Sequence, residues 1–299
     1  MKQLPALIKR NTKLYFMDRG MFFASMMTPM ILLVLYATFL GSVFEDSFRS
    51  ALESAGAVVP DSLIGGCVGG ELCSSLLAVC CVTVAFCSNF IMVQDKVTGA
   101  RQDLTMAPVG KGTLALGYYI ANLLSTLLVC LGAAGICLVY IFRIGWYITA
   151  ADVAWIGLDV VLLTLFGSAL SSVINLFLSS QGQISAVETV ISAGYGFLCG
   201  AYMPISNFPE GLQKTLSFLP GTYGTSLLRN HFLRGVFGEM GEQGIPEQVV
   251  EAIRDSVDCN IYFFDTRVEI PAMYLILAGT VAALLGLYIL LNVLRKPGK

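Results

Sequence analysis

Residues 63–93 read LIGGCVGGELCSSLLAVCCVTVAFCSNFIMV, an apolar run with one charge, Glu71. Asp61 and Asp95 enclose 33 residues, and Glu71 alone interrupts them. A helix needs about 20 residues to cross ~30 Å of hydrocarbon, so this stretch predicts a membrane span with turns to spare. The same signature recurs along the chain. Arg19 to Glu45 encloses 25 uncharged residues, Lys111 to Arg143 encloses 31, and Glu269 to Arg295 encloses 25. Asp152 to Glu188 carries only Asp159, and Glu188 to Glu210 carries no charge. Six spans are expected, at 20–44, 63–93, 112–142, 153–178, 184–203 and 270–294, with Ser179-Ser180-Gln181-Gly182-Gln183 as the polar turn between the fourth and fifth. Composition agrees. Of 299 residues 56% are hydrophobic and 13% charged, about half the ~25% charge of a soluble domain. That is too little polar residue to cover a soluble fold. Gly, Pro and Cys lack the period or density of collagen, disordered or disulfide-scaffold chains.

The sequence therefore predicts an all-α polytopic membrane protein, a single domain over 1–299. Its first span is expected to persist as a signal anchor, because the apolar run is too long for a cleaved leader and no small-x-small site follows. Placing Lys and Arg inside puts both termini in the cytosol. That side then holds eleven basic residues against three acidic, a net +8, and the opposite side holds a net −7. The formal −2 of the chain conceals this asymmetry, and no nucleic-acid partner is expected. Residues 2–16 form an amphipathic helix, with Leu4, Leu7, Ile8, Leu14 and Tyr15 on one face and Lys2, Lys9, Arg10 and Lys13 on the other. Basic residues on the polar face suit the cytosolic interface; a helix docked on a partner is the alternative. The 94–111 loop is the one substantial cytosolic connection. The 204–269 segment is external, with apolar helices in 208–237 that dip into the outer leaflet and a further helix from Pro246.

Few side chains suggest chemistry. Gly65, Gly66, Gly69 and Gly70 form two G-x-x-x-G pairs, repeated by Gly196 and Gly200, which suit close helix packing. Cys73, Cys80 and Cys87 share a stripe but have no His, Asp or Glu at ligand spacing, so they read as packing residues rather than a zinc site. Cys259 has no external partner for a disulfide. Glu71, Asp159 and Glu188 lie within spans, where a charge costs ~3 kcal/mol at mid-bilayer. They are either hydrated near the span ends or part of a path for cationic cargo. With one histidine, His231, no hydrolytic triad can be assembled. Gly110-Lys111-Gly112-Thr113 lacks the residues of a phosphate-binding loop, so ATP binding by this chain is not expected.

Two segments carry a family resemblance. One is Asp95-Lys96-x-x-Gly99 followed by Leu104 and Ala107-Pro108-Val109. The other is Phe197-Leu198-Cys199-Gly200-Ala201-Tyr202-Met203-Pro204, then Phe208-Pro209, Leu219-Pro220 and Leu228-Arg229. With the order of spans, they resemble the permease subunit of type-2 ATP-binding-cassette (ABC) exporters. Cys199, Leu219 and Gly221 depart from the family's usual residues. The resemblance implies a dimer of permeases, identical or related, joined to two copies of a separate cytosolic ABC ATPase that binds ATP and Mg. It implies that Asp95, Lys96, Arg101 and Asp103 make polar contacts with that ATPase. Leu104 and Met106 would fill a groove in it, and Gly99 and Pro108 would shape the backbone. It also implies a cargo path along spans two and five, here Glu71, Phe86, Phe90, Glu188, Tyr195 and Phe197. That lining suits export of an amphiphilic or lipid-like cargo such as a drug, antibiotic, peptide or glycolipid across the cell (plasma or inner) membrane, multidrug export included. The competing expectation is a stand-alone ion-coupled transporter or channel.

Overall fold

The run that decides the fold becomes α4 (Asp61–Val97), a 37-residue helix. At 1.5 Å per residue it is ~55 Å long, and it is the centre of the molecule. The computed structural model describes residues 3–54, 60–106, 109–264 and 266–294. Around α4 pack α2 (Arg19–Leu35), α6 (Lys111–Ile144), α7 (Ala150–Phe177), α8 (Gln181–Leu198) and α10 (Pro220–Glu242). α12 (Ile270–Leu294) sits outside, against α7 and α10. Its small residues let α4 take the middle. A methyl group on Gly70 would lie 2.5 Å from Leu233 Cδ2, so α10 is seated directly on the glycine pair. The thiols pack between helices: Cys80 and Cys130 Sγ are 3.9 Å apart across α4 and α6, and Cys73 Sγ reaches the Cys137 carbonyl at 3.7 Å. All nine cysteines are free and buried.

Among the described residues, five helical stretches are long and apolar enough to cross a membrane: Arg19–Ser50, α4, α6, α7 and α12. The expected fifth span, 184–203, corresponds to α8, which has 18 residues, ~27 Å at helical rise, and is not among the five. The expected first span continues beyond residue 44. α2 passes through a π-helical turn (Tyr36–Leu40) into α3 (Gly41–Ser54), and Pro29 lies inside α2. A π-turn inserts a residue into the helical ladder, and a proline removes a donor from it. This helix is therefore the interrupted one.

α1 (Gln3–Met17) lies at one end, called the base, and packs on α6 through Leu7, Asn11 and Tyr15, one side of the helix at i, i+4, i+8. The Tyr15 and Ser25 hydroxyls, 2.8 Å apart, tie it to α2. At the base, a short helix α5 (Ala100–Met106) follows α4. α7 starts with a reciprocal cap between Thr149 and Asp152, the arrangement that satisfies two orphan backbone donors at once.

The opposite end is closed by α9 (Glu210–Leu216), α10 and α11 (Glu247–Ser256). The apolar residues of 208–237 are largely used inside the protein, with Tyr223, Leu227, Leu228, Phe232 and Val236 of α10 buried. A second core joins Phe48 and Leu52 of α3, Leu63 of α4, Leu233 and Met240 of α10, and Val250 and Ile253 of α11. A hairpin of β1 (Ile261–Phe263) and β2 (Thr266–Val268), paired antiparallel with Ile261 opposite Val268, leads into α12.

Candidate functional site

At the base, α4 ends at Val97 and Thr98, and Gly99 takes a φ of +84°, where a side chain would be strained. The chain turns there into α5. Asp95 does not point out of this junction. Its carboxylate accepts two hydrogen bonds from Arg10 of α1, at 2.6 and 2.9 Å, and a third at 2.6 Å from the Tyr118 hydroxyl of α6. Donating these hydrogen bonds to Asp95 raises the Arg10 pKa. Lys96 turns inward too. Its ammonium donates to the carbonyls of Asn175, Leu176 and Leu178 at 2.8–2.9 Å. Those are the carbonyls a helix leaves without partners at its C-terminus, where a cation is also favoured by the dipole. Asp95 and Lys96 both bind within this chain, because α1, α6 and the end of α7 offer partners at contact distance.

The rest of the set divides. Leu104 is half-buried and packs against the bundle core. Asp103 is exposed, Arg101 is partly so, and Met106 is 84% exposed. Pro108 lies outside the described residues. Two of the coupling residues are thus anchors, and α5 presents the outward ones.

The six expected cargo-path residues do not converge. Phe86, Phe90 and Tyr195 are buried in the core, whereas Phe197 is 49% exposed with its ring edge-on to Tyr202. Glu71 is sealed toward the other end. Glu71 is fully buried there, and its Oε1 lies 2.5 Å from Arg229 Nη2. The same guanidinium donates to the Gly200 carbonyl at 2.7 Å, to Ser75 Oγ at 3.2 Å and to Asp258 Oδ2 at 3.3 Å. Gly200 adopts a φ of +77° at the turn after α8, which aims its carbonyl at Arg229. Asp258 in turn accepts from the backbone N–H groups of Ile205 and Ser206. Burial raises the Asp258 pKa, opposed by Arg229 and those two amides. One arginine thus joins α4, α10, the chain after α8 and the chain after α11.

Asp159 is paired as well. Its carboxylate lies 2.6 Å from His231 Nδ1 and accepts from the Tyr274 hydroxyl at 2.5 Å, with Trp155 stacked on the imidazole at 5.7 Å. Glu188 differs from both. It lines a half-open cleft of about 200 Å³ at the base, between α2, α4 and α8, together with Phe90. Asp18, Gln94 and Gln181 also line it. None of these three was singled out in the sequence, and each looks there like an ordinary helix-end polar residue.

Long apolar helices packed round a buried centre, with Glu71 and Asp159 inside the bundle paired to basic partners, describe a membrane-embedded helical protein. The chain belongs to the ABC-2 type transporter family, whose defining sequence pattern matches residues 2–233. The family makes it the transmembrane component of an ABC transporter, a transport subunit that works with an ABC ATPase component. No curated protein matches the chain.

Proposed function

We propose that the protein is the membrane subunit of an ATP-driven exporter of an amphiphilic or lipid-like cargo. ATP, with Mg, is hydrolysed on a separate cytosolic subunit, with two permeases and two ATPases in the complex. The base of the bundle then faces the cytosol, and the membrane is the cell membrane. One observation carries the reading: a short helix with outward Asp103 and Met106 is bolted to the bundle at its root. Through Asp95 the root holds α1 and α6, and through Lys96 it holds the end of α7. A load placed on α5 reaches three other elements through charge-assisted hydrogen bonds, the stronger class.

The stand-alone ion-coupled alternative gains nothing from the buried acids. Glu71 and Asp159 are occupied by Arg229 and by His231 with Tyr274, which leaves them poorly placed to exchange ions with a pathway.

The test replaces Asp103 by Lys and Met106 by Glu, both on the outward side of α5. The full permease is then used to recover its ATPase from membranes. The variant is expected to recover less than a tenth of the ATPase and to lose cargo-stimulated ATP turnover. Undiminished recovery and turnover would overturn the docking role.

A further inference from the structure

In the cleft between α2, α4 and α8 a carboxylate from a bundle helix, Glu188, has no basic partner among the described residues. Among the described residues, the hydrogen-bond donor to Glu188 is the thiol of Cys87, at 3.7 Å from Oε1. A thiol is a weak donor, so this carboxylate retains most of its capacity to bind a cation. Across the cleft stands Asp18, whose Oδ1 accepts from Met21 N as the N-cap of α2. No lysine or arginine is among the residues lining the cleft. That is notable at the base, the face to which the sequence assigns a net +8. The remaining wall is mixed: Met21, Ile184 and Phe90 are apolar, beside the amides of Gln94 and Gln181.

We infer that this cleft binds the cationic headgroup of an amphiphile: a substituted ammonium or phosphonium carrying an apolar body. The inference rests on the exporter reading and supplies its cargo class. Two carboxylates line the cleft and favour a positive charge there, and the aromatic side chain of Phe90 in its wall favours the same sign. Size makes the same point. A drug-sized ligand fills roughly 300–1,000 Å³, and this cleft has about 200 Å³. It takes one end of such a molecule and leaves the apolar remainder in lipid alongside the exposed residues of α2, among them Phe23, Met27 and Met30. A neutral or anionic amphiphile would find the same wall and two repelling carboxylates.

The test uses the full-length permease in nanodiscs of zwitterionic lipid, with tetraphenylphosphonium as probe and tetraphenylborate as a control of the same shape and opposite charge. Equilibrium dialysis is expected to show saturable binding of the cation only. Glu188→Gln and Asp18→Asn should each weaken it about tenfold, ~1.4 kcal/mol; the asparagine keeps a capping oxygen for α2. Gln181→Lys, at an exposed position, brings an ammonium into the cleft and should abolish binding even if the Glu188 variant fails to fold. Equal uptake of both ions by wild type and variants would overturn the inference, as would cation binding indifferent to all three substitutions. The two readings fail separately. Cation binding by a wild-type permease that recovers no ATPase upholds the cleft and removes the exporter, whereas ATPase recovery by the wild type without cation binding does the reverse.

Discussion

Arg229→Met removes one charge from a place with no water to replace it. The side chains of Arg229, Glu71 and Asp258 are 1%, 0% and 5% exposed. The substitution leaves Glu71 without its ion partner and Asp258 with only its two backbone donors, and the Gly200 carbonyl loses its donor. Breaking a buried pair by deleting one partner costs ~3–5 kcal/mol, and an unsatisfied buried carbonyl adds about 1–3 kcal/mol. We expect Arg229→Met to destabilise by about 4–8 kcal/mol. Glu71→Gln should lose much less, ~1–2 kcal/mol, since the amide oxygen still accepts from the guanidinium. In the double variant the orphaned Glu71 charge is gone, so the total should fall short of the sum by ~2 kcal/mol or more. The assay is unfolding in mixed micelles followed by tryptophan fluorescence. Trp155 is a suitable reporter because it stacks on His231, two residues from Arg229. A pH series gives an internal check. Burial already raises the Asp258 pKa, and Arg229 opposes that shift, so its loss moves the pKa higher. A carboxyl with a raised folded-state pKa stabilises the fold at low pH and loses that contribution as pH rises through it. The Arg229→Met variant should therefore recover part of its loss on acidification. Strict additivity, or an Arg229→Met penalty under ~1 kcal/mol, would refute the argument.

Asp95→Ala removes the acceptor that holds Arg10 and Tyr118. Because Arg10 is a third exposed, the expected loss is nearer ~2 kcal/mol than the full buried-pair figure, with faster limited proteolysis at Lys9 and Lys13 as α1 loosens. Lys96→Met leaves three carbonyls at the end of α7 without their shared donor. It should cost ~1–3 kcal/mol and raise hydrogen exchange over 176–183, and unchanged exchange there would refute the capping role.

Spans were legible in the sequence because a bilayer forbids charge over 20 residues, and that prohibition leaves a trace in a single chain. Glycine spacing in α4 was legible for a similar reason: Gly66 and Gly70 recur on one side of a helix, and α10 packs there. Charged partners were not legible. Asp95 next to Lys96 at a helix end looks like a pair offered to another protein, and only the folded arrangement brings Arg10 and the Asn175, Leu176 and Leu178 carbonyls to them. Glu71 looked hydrated because it lies near a span end, yet α10 covers it and supplies Arg229. The β1–β2 hairpin was missed because three-residue strands are too short for alternation to show. The cleft was half visible: Glu188 and Phe90 were among the candidates, but Asp18 is 170 residues from Glu188, and nothing in the spacing connects them.

α4 contains no proline, and two of its charged attachments, Glu71 toward one end and Asp95 at the other, are 24 residues apart, ~36 Å at helical rise. Helix α2 beside it is interrupted twice, at Pro29 and at Tyr36–Leu40. The two helices thus differ as an axle differs from a hinge. A twist applied to α4 at Asp95 arrives at Glu71 with little loss along the way, and it must there either carry Arg229 along or shear the ion pair. The neighbouring α2 can absorb the same twist within its own length. Whatever motion the base receives, the far end of the molecule feels it through α4, and the lipid-facing side gives way first at the π-turn.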